Sequence, residues 1–425
     1  MSQIVWSEEL ATLDFEKERA ALDAAIDAFE EPLAQAPGAP KEAKAKWLLA
    51  SCLQKAIRQG DADAAQWAVD AMLPNDRAYA LHRMAVIAIE DIGVANLPLV
   101  LDFMFTGIRK AWYEAHGTRK SAIYFARALA ESPKDRSACD LPLLALGLPP
   151  ATVANAVNAP TDKLREALLA PKVDLRAKAL GLWSALGGQK IKGAGIPADK
   201  HDPDAFLSLC HELGATPKML WLLDQSIKIQ SEWHPVALGL LAAQAVAEGA
   251  IIAPGFISPT APLTRSLASV AAAGQEPLQA ARRGGMIFPG RSANGFFLSG
   301  LDGHCREGRN AIDACFLKHP DLKKTPFFAG LYGEQLRERA GSLLFAFEGG
   351  RVNAPMDYPS ARRVFASSLL RGAQRQNMPE PLLREVPAFF EKFLPALDDA
   401  RAKSLSKLDW AKAPSAPSAS SQPKP

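Results

Sequence analysis

Cysteine is scarce and scattered in this 425-residue sequence. Cys52, Cys139, Cys210, Cys305 and Cys315 are odd in number, and none stands in a C-x-x-C pair. That pattern argues against a disulfide framework or an ordinary zinc site and suits reduced thiols in a cytosol. His201 and His211 are ten residues apart, a poor ligand spacing, so no metal and no cofactor is expected. Charge of one sign is also missing: 49 Lys and Arg against 46 Asp and Glu leave a net charge of +3, so any nucleic-acid surface has to be a local patch. No stretch sustains the period-two alternation of a half-buried strand. The apolar run 236–252 is interrupted by Gln244 and Glu248, which reads as a buried helix rather than a membrane span. Residues 1–9 are acidic and lack the apolar segment of a secretory signal, so a cytoplasmic location is expected. No G-x-x-x-x-G-K-[ST] occurs. The nearest approach, Gly188 to Ala194, lacks the lysine and hydroxyl that should follow its second glycine.

What remains is 48% apolar and 22% charged residues, ordinary for a globular chain long enough for two or three cores. The expected fold is all-α and multi-helix. Residues 8–35 read as one amphipathic helix with Leu10, Leu13, Ala21, Ala24, Ala25 and Phe29 on its apolar side, followed by a linker at Pro37–Pro40. Leu49, Leu53 and Ile57 then share one helix face while Lys55 and Arg58 point elsewhere. Gly60 is placed to end that helix and Asp61 to cap the next, which carries Ala65, Ala68, Val69 and Met72 up to a stop at Leu73-Pro74. From about Arg77 a third helix is apolar on several faces, so it should be buried. It leads directly into Glu90-Asp91, with Gly93 allowing a turn. Carboxylates beside a core helix need partners. Arg83 and His82 are the local candidates, and an exposed helix end is the alternative.

These residues also carry a resemblance. Leu53-Gln54-Lys55-Ala56-Ile57-Arg58-Gln59-Gly60-Asp61, then a short helix, then Arg83 through Glu90-Asp91-Ile92-Gly93, resembles the C-terminal helical region of a bacterial AAA+ family. That family comprises the replication-associated recombination ATPases, relatives of the Werner-helicase-interacting proteins and clamp loaders. A weaker echo follows at Ser121–Arg127 and Ser132–Ser137. The likeness covers about residues 45–140. It implies a clamp-loader-collar-like oligomerisation domain without catalytic residues, with Gln54, Lys55, Arg58, Arg83, Glu90, Asp91 and Gly93 as its motif positions. The chain departs from the family at Ala95-Asn96-Leu97-Pro98, where an Ala-Asp-Pro is usual. With 46 residues ahead of Trp47 and no phosphate-binding loop, it is not expected to hydrolyse ATP by itself.

The expected division is an N-terminal helix and linker (1–46), a collar-like domain (47–148), and a second helical region (149–410) with a break near 254–260. Residues 411–425, rich in Pro, Ser and Ala without a large apolar residue, are expected to form a disordered tail. The Gly-rich loop 187–197, with Lys190 and Lys192, reads as a connector, with phosphate wrapping as the alternative.

Two later zones carry chemistry. Asp302, His304, Arg306 and Glu307 open a helix running to about Lys318, with Leu301, Cys305, Ile312 and Phe316 as its core stripe. Asp302–Arg306 is expected as an i,i+4 ion pair and His304–Glu307 as an i,i+3 contact. The cluster reads either as an acid/base site, with Arg282, Arg283 and Arg291 contacting an anion, or as a charged helix start. Cys305 lies on the apolar stripe, where thiols are usually inert. Glycines at 300, 303 and 308 would weaken an ordinary helix and suggest close approach to another backbone or a ligand. Arg362, Arg363, Arg371 and Arg375, with no acidic residue between 358 and 378, form the strongest basic patch, suited to phosphate or to a partner surface.

The leading expectation is a non-enzymatic DNA replication or repair accessory, bacterial and borne on a mobile element. It would be a homo-oligomer or dock on a replication protein, with nucleic acid as a further partner and no membrane. An enzyme acting on a small molecule or nucleotide at residues 302–307 is the alternative, and a scaffold that never touches DNA is the third.

Overall fold

A computed structural model of the chain describes residues 13–32, 43–106, 109–145, 148, 151–152, 155, 159–170, 173–186, 202–229, 233–247, 292–293, 296–344 and 380–408. Among the described residues the protein is all-α apart from a two-residue antiparallel ladder that pairs Ser292 with Phe297 and Ala293 with Phe296. The tail 411–425, the loop 187–197, His201, and the arginines at 282, 283, 291, 362, 363, 371 and 375 lie outside the described residues.

Helix α1 (Glu16–Ala28) is shorter than its periodicity suggested, and its inward face differs. Phe15, Leu22 and Ile26 are buried while Ala21 and Ala24 are exposed, because the larger side chains remove more apolar area from water. Helices α2 (Ala43–Gln59) and α3 (Ala62–Ile87) pack against each other and are joined as the sequence implied. Gly60 takes φ 82°, and Asp61 Oδ1 accepts a hydrogen bond from the Ala64 amide at 2.9 Å. Pro74 does not end α3. The break falls two residues later at Asp76 (φ −155°, ψ 76°), whose carboxylate caps the continuing half by accepting from the Tyr79 amide at 3.0 Å. A π turn (Ala88–Ile92) and a 3-10 turn (Gly93–Asn96) then lead into α4 (Leu97–Thr106). The run 62–106 is long and apolar enough to cross a membrane by length and composition, but it is broken at Asp76 and Gly93 and mostly buried inside the protein.

Helices α5 (Lys110–His116), α6 (Thr118–Glu131) and α7 (Ser137–Ala145) follow, with α6 laid against α3. Next come α8 (Thr161–Leu169), α9 (Leu175–Ala185), α10 (Pro203–Glu212), α11 (Pro217–Ile229) and α12 (Trp233–Ala247). α12 fills the centre against α7, with Leu238, Leu240 and Leu241 fully buried. One continuous apolar core runs from Phe15 through α2–α12 to Leu301 and Cys305. A second, built on Phe316, Phe327, Phe328 and Phe390, joins α13 (Arg306–Lys318), α14 (Gly333–Leu344) and α15 (Glu380–Leu405).

Candidate functional site

The motif residues of α2 and the π turn meet in the interior. Arg58 forks onto Asp91, Nε to Oδ1 at 2.7 Å and Nη2 to Oδ2 at 3.2 Å, and both side chains are withdrawn from water. Arg136 Nε lies 3.0 Å from the same Oδ1. Gln54 bridges the two carboxylates, its Nε2 donating to Glu90 Oε2 at 2.9 Å and Asp91 Oδ2 at 3.2 Å, while its Oε1 accepts from Arg83 Nη2. His234 Nε2 approaches Glu90 Oε1 at 3.6 Å. Burial pushes the Asp91 carboxyl up, but the Arg58 and Arg136 guanidiniums and the hydrogen bonds from Arg58 and Gln54 outweigh it and hold it below the usual carboxylate value. Burial likewise lowers His234, which favours its neutral form.

The backbone that aims Asp91 inward is tightly specified. Gly93 takes φ 50°, and a Cβ there would sit 3.0 Å from the Asp135 carbonyl oxygen. The Asp135 amide in turn donates to the Asp91 carbonyl at 3.0 Å. The turn 132–136 therefore closes over the π turn. Lys134, buried beside it, donates from Nζ to the carbonyls of Ala130 and Ser132, and burial pulls its ammonium down to about 8. The alternative of an exposed helix end is thus excluded for Asp91. Its cationic partners are Arg58 and Arg136, with Arg83 acting through Gln54 and His82 exposed. Arg136 had a trace in the echo at 132–137; His234 had none.

The 302–307 zone joins α2 from the other side. Lys55 Nζ donates to Asp302 Oδ2 at 2.7 Å, and each side chain is 3% exposed. Asp302 Oδ1 accepts from the His304 amide at 2.9 Å and lies 3.0 Å from His304 Nδ1. Burial alone would raise the Asp302 carboxyl; Lys55 and His304 reverse this and hold it far below the usual range. The expected Asp302–Arg306 pair is not made. α13 begins only at Arg306, so Asp302 precedes the helix and its carboxylate is committed to Lys55 and His304. Cys305 is the cap residue, its Sγ accepting from the Gly308 amide at 3.3 Å, and burial pushes its thiol up to about 12, unsuited to a nucleophile. His304 is 71% exposed and Arg306 exposed, whereas Glu307 is buried with no partner on Oε2 among the described residues. Asp302 and His304 are in contact as an acid/base pair would require, while Arg306 faces solvent and Glu307 turns into the core.

The glycines do mark close approach. A Cβ on Gly300 would lie 2.7 Å from Cys52 Cα, one on Gly303 would lie 3.4 Å from Gly341 Cα, and one on Gly308 would lie 2.0 Å from the Asp302 carbonyl oxygen. Ser51 Oγ donates to the Gly300 carbonyl at 2.6 Å, which seats this turn on α2. Arg401 of α15, fully buried, donates to the Leu301 carbonyl at 3.0 Å and pairs with Asp398 at 3.0 Å.

Comparison with protein-family models, curated proteins and solved structures gives no match to this chain.

Proposed function

We propose that this chain is a non-enzymatic accessory of DNA replication or repair that self-associates, or docks on a replication ATPase, through the collar-like region 47–148. The observation that supports this reading is the commitment of the motif side chains to internal bonds. Gln54, Lys55, Arg58, Arg83, Glu90 and Asp91 hold helices to one another, which is the work of a scaffold rather than of a reaction centre. The resemblance of the same residues to an oligomerisation collar supplies the biological setting. The basic positions between 282 and 375 are the proposed contacts for nucleic acid or an acidic partner.

The test is light scattering after size-exclusion chromatography, with and without a short forked DNA at low salt. An oligomer whose mass rises with DNA is expected, and that rise should vanish with added salt as phosphate contacts are screened. A monomer at every concentration, indifferent to DNA and retaining no replication protein, overturns the proposal. The enzyme reading keeps one favourable observation, the exposed His304 ring on a buried carboxylate. Loss of a ligand's binding in His304→Ala would be its support.

A further inference from the structure

Helix α1 lies on the outside of the core, and what holds it there has a distinct chemistry. It lies on a face made by α4, α5, α6 and α11. Its apolar attachment is small: Phe15 against Phe105 and Trp221, with ring centroids 4.8 and 5.0 Å away, buried Leu22 and Ile26, and Phe29 against Tyr124 at 5.6 Å. Around these runs a polar seam of one sense. Glu18 pairs with Lys218. Asp23 accepts from Trp112 Nε1 at 2.8 Å and faces His116 Nε2 at 3.1 Å. Asp27 lies 3.5 Å from His116 Nδ1, and its carbonyl accepts from Lys120 at 3.1 Å. Glu31, just beyond the helix, pairs with Arg119 at 2.6 Å. α1 presents mainly acids and the face mainly cations and N–H donors; the exceptions are Asp102, which senses Glu18 and Lys218, Asp70, which binds Arg119 Nε at 2.7 Å, and Arg19 of α1, 3.7 Å from Asp23.

We propose that this face is a docking groove for an acidic amphipathic helix, and that in the self-associated protein the α1 of a second copy fills it. The inference rests on the self-association reading above. The one helix whose acids and aromatic residues are known to match the groove is α1 itself, so a second copy offers the same ligand. The ion pairs add little to the cost of release, because partly exposed pairs are weak singly and are screened by salt; the larger cost, uncovering Phe15, Leu22 and Ile26, is recovered when the same side chains enter the second copy's groove. Residues 33–42, which join α1 to α2 in the sequence and contain two prolines and a glycine, could span at most about 35 Å if fully extended, which bounds how far a second copy's groove can lie.

The Glu18–Lys218 pair provides the test. Full-length chain labelled with heavy nitrogen is mixed with an equal amount of unlabelled chain, equilibrated at high concentration, and treated with a carbodiimide. The reagent activates the Glu18 carboxylate; the Lys218 amine attacks it, forming an amide as the activated oxygen leaves with the reagent as a urea. Monomer and oligomer are separated and digested, and the Glu18–Lys218 peptide is weighed. In the oligomer about half of that peptide should join a heavy to a light segment, as random pairing of a swapped dimer requires. In the monomer none should. An oligomer whose cross-linked peptide is never mixed overturns the exchange while leaving self-association intact through another surface. Absence of the cross-link from both species overturns the seating of α1 itself, and a protein that never leaves the monomer overturns both readings.

Discussion

At the scale of single residues, Asp91 is the side chain on which the interior depends most. Removing it takes away the carboxylate that the buried Arg58 and Arg136 guanidiniums both face, and breaking a buried pair in this way costs about 3–5 kcal/mol. Asp91→Ala should therefore lower the urea midpoint strongly with little change in slope; a midpoint within error of the parent would remove the network from any role in stability. Asp102 makes the opposite prediction. Burial, with Glu18 adding to it and Lys218 opposing, raises its carboxyl to about 6. Between about pH 4 and 6 the folded chain then binds more protons here than the unfolded chain, so this group's contribution declines as pH rises through that window and is flat above it. Asp102→Asn should stabilise the protein at pH 8 by about 1–2 kcal/mol, allowing for partial exposure, and flatten that part of the profile. Urea titrations at pH 4.5 and 8 would decide it. What could be read from the sequence at this scale was local: Gly60, Asp61 and Gly93 act within a few residues of themselves. Lys55 and Arg58 read only as pointing away from the apolar face, because the carboxylates that receive them stand 247 and 33 positions off.

At the scale of elements, the helices of the first half were legible because their apolar spacing and their Gly and Asp boundaries agree. Two details were not. α1 exposes Ala21 and Ala24, which the spacing places on its inner face, since periodicity in an alanine-rich helix does not distinguish Ala21 from Leu22. α3 passes Pro74 and breaks at Asp76, because that carboxylate supplies a cap where the proline merely removes a donor. Asp76→Ala should cost about 1 kcal/mol, the usual value of such a cap, and loosen the pairing of Lys46 with this corner. A larger effect is expected at the turn before α13. In Gly308→Ala the new methyl would meet the Asp302 carbonyl oxygen at 2.0 Å and the Leu301 carbonyl carbon at 2.5 Å, both backbone atoms that cannot swing aside. A loss of about 2–4 kcal/mol is expected, with weakened protection of the 298–305 amides in hydrogen exchange. Unchanged protection there would mean that the turn has room to move.

At the scale of the whole molecule, the apolar core passes from Leu148 to Leu164 without interruption, and the segment 298–305 returns to it from far along the chain. The glycines of that segment were legible as signs of close packing; that Gly300 packs on α2 and Gly303 on α14 was not, since nothing local names a helix some 250 residues earlier or one some 40 residues later. Lys55→Met should cost about 3–5 kcal/mol by leaving the buried Asp302 carboxylate with His304 alone, and Lys55→Met with Asp302→Leu should recover much of it, because a well-filled apolar pair can match a buried ionic one. Denaturation curves for both variants would check this; a double variant no more stable than the single one would show that packing, not charge, sets the requirement.

The Lys55–Asp302 pair also puts the protein on a clock. At ordinary elongation rates the 247 residues between the partners take about 12–50 s to emerge from a ribosome. During that interval α2 exists with an ammonium group that its final surroundings exclude from water, and its carboxylate has not yet been made. The nascent first half must therefore keep that side open, hydrated or held by a chaperone, until the second half arrives to close it.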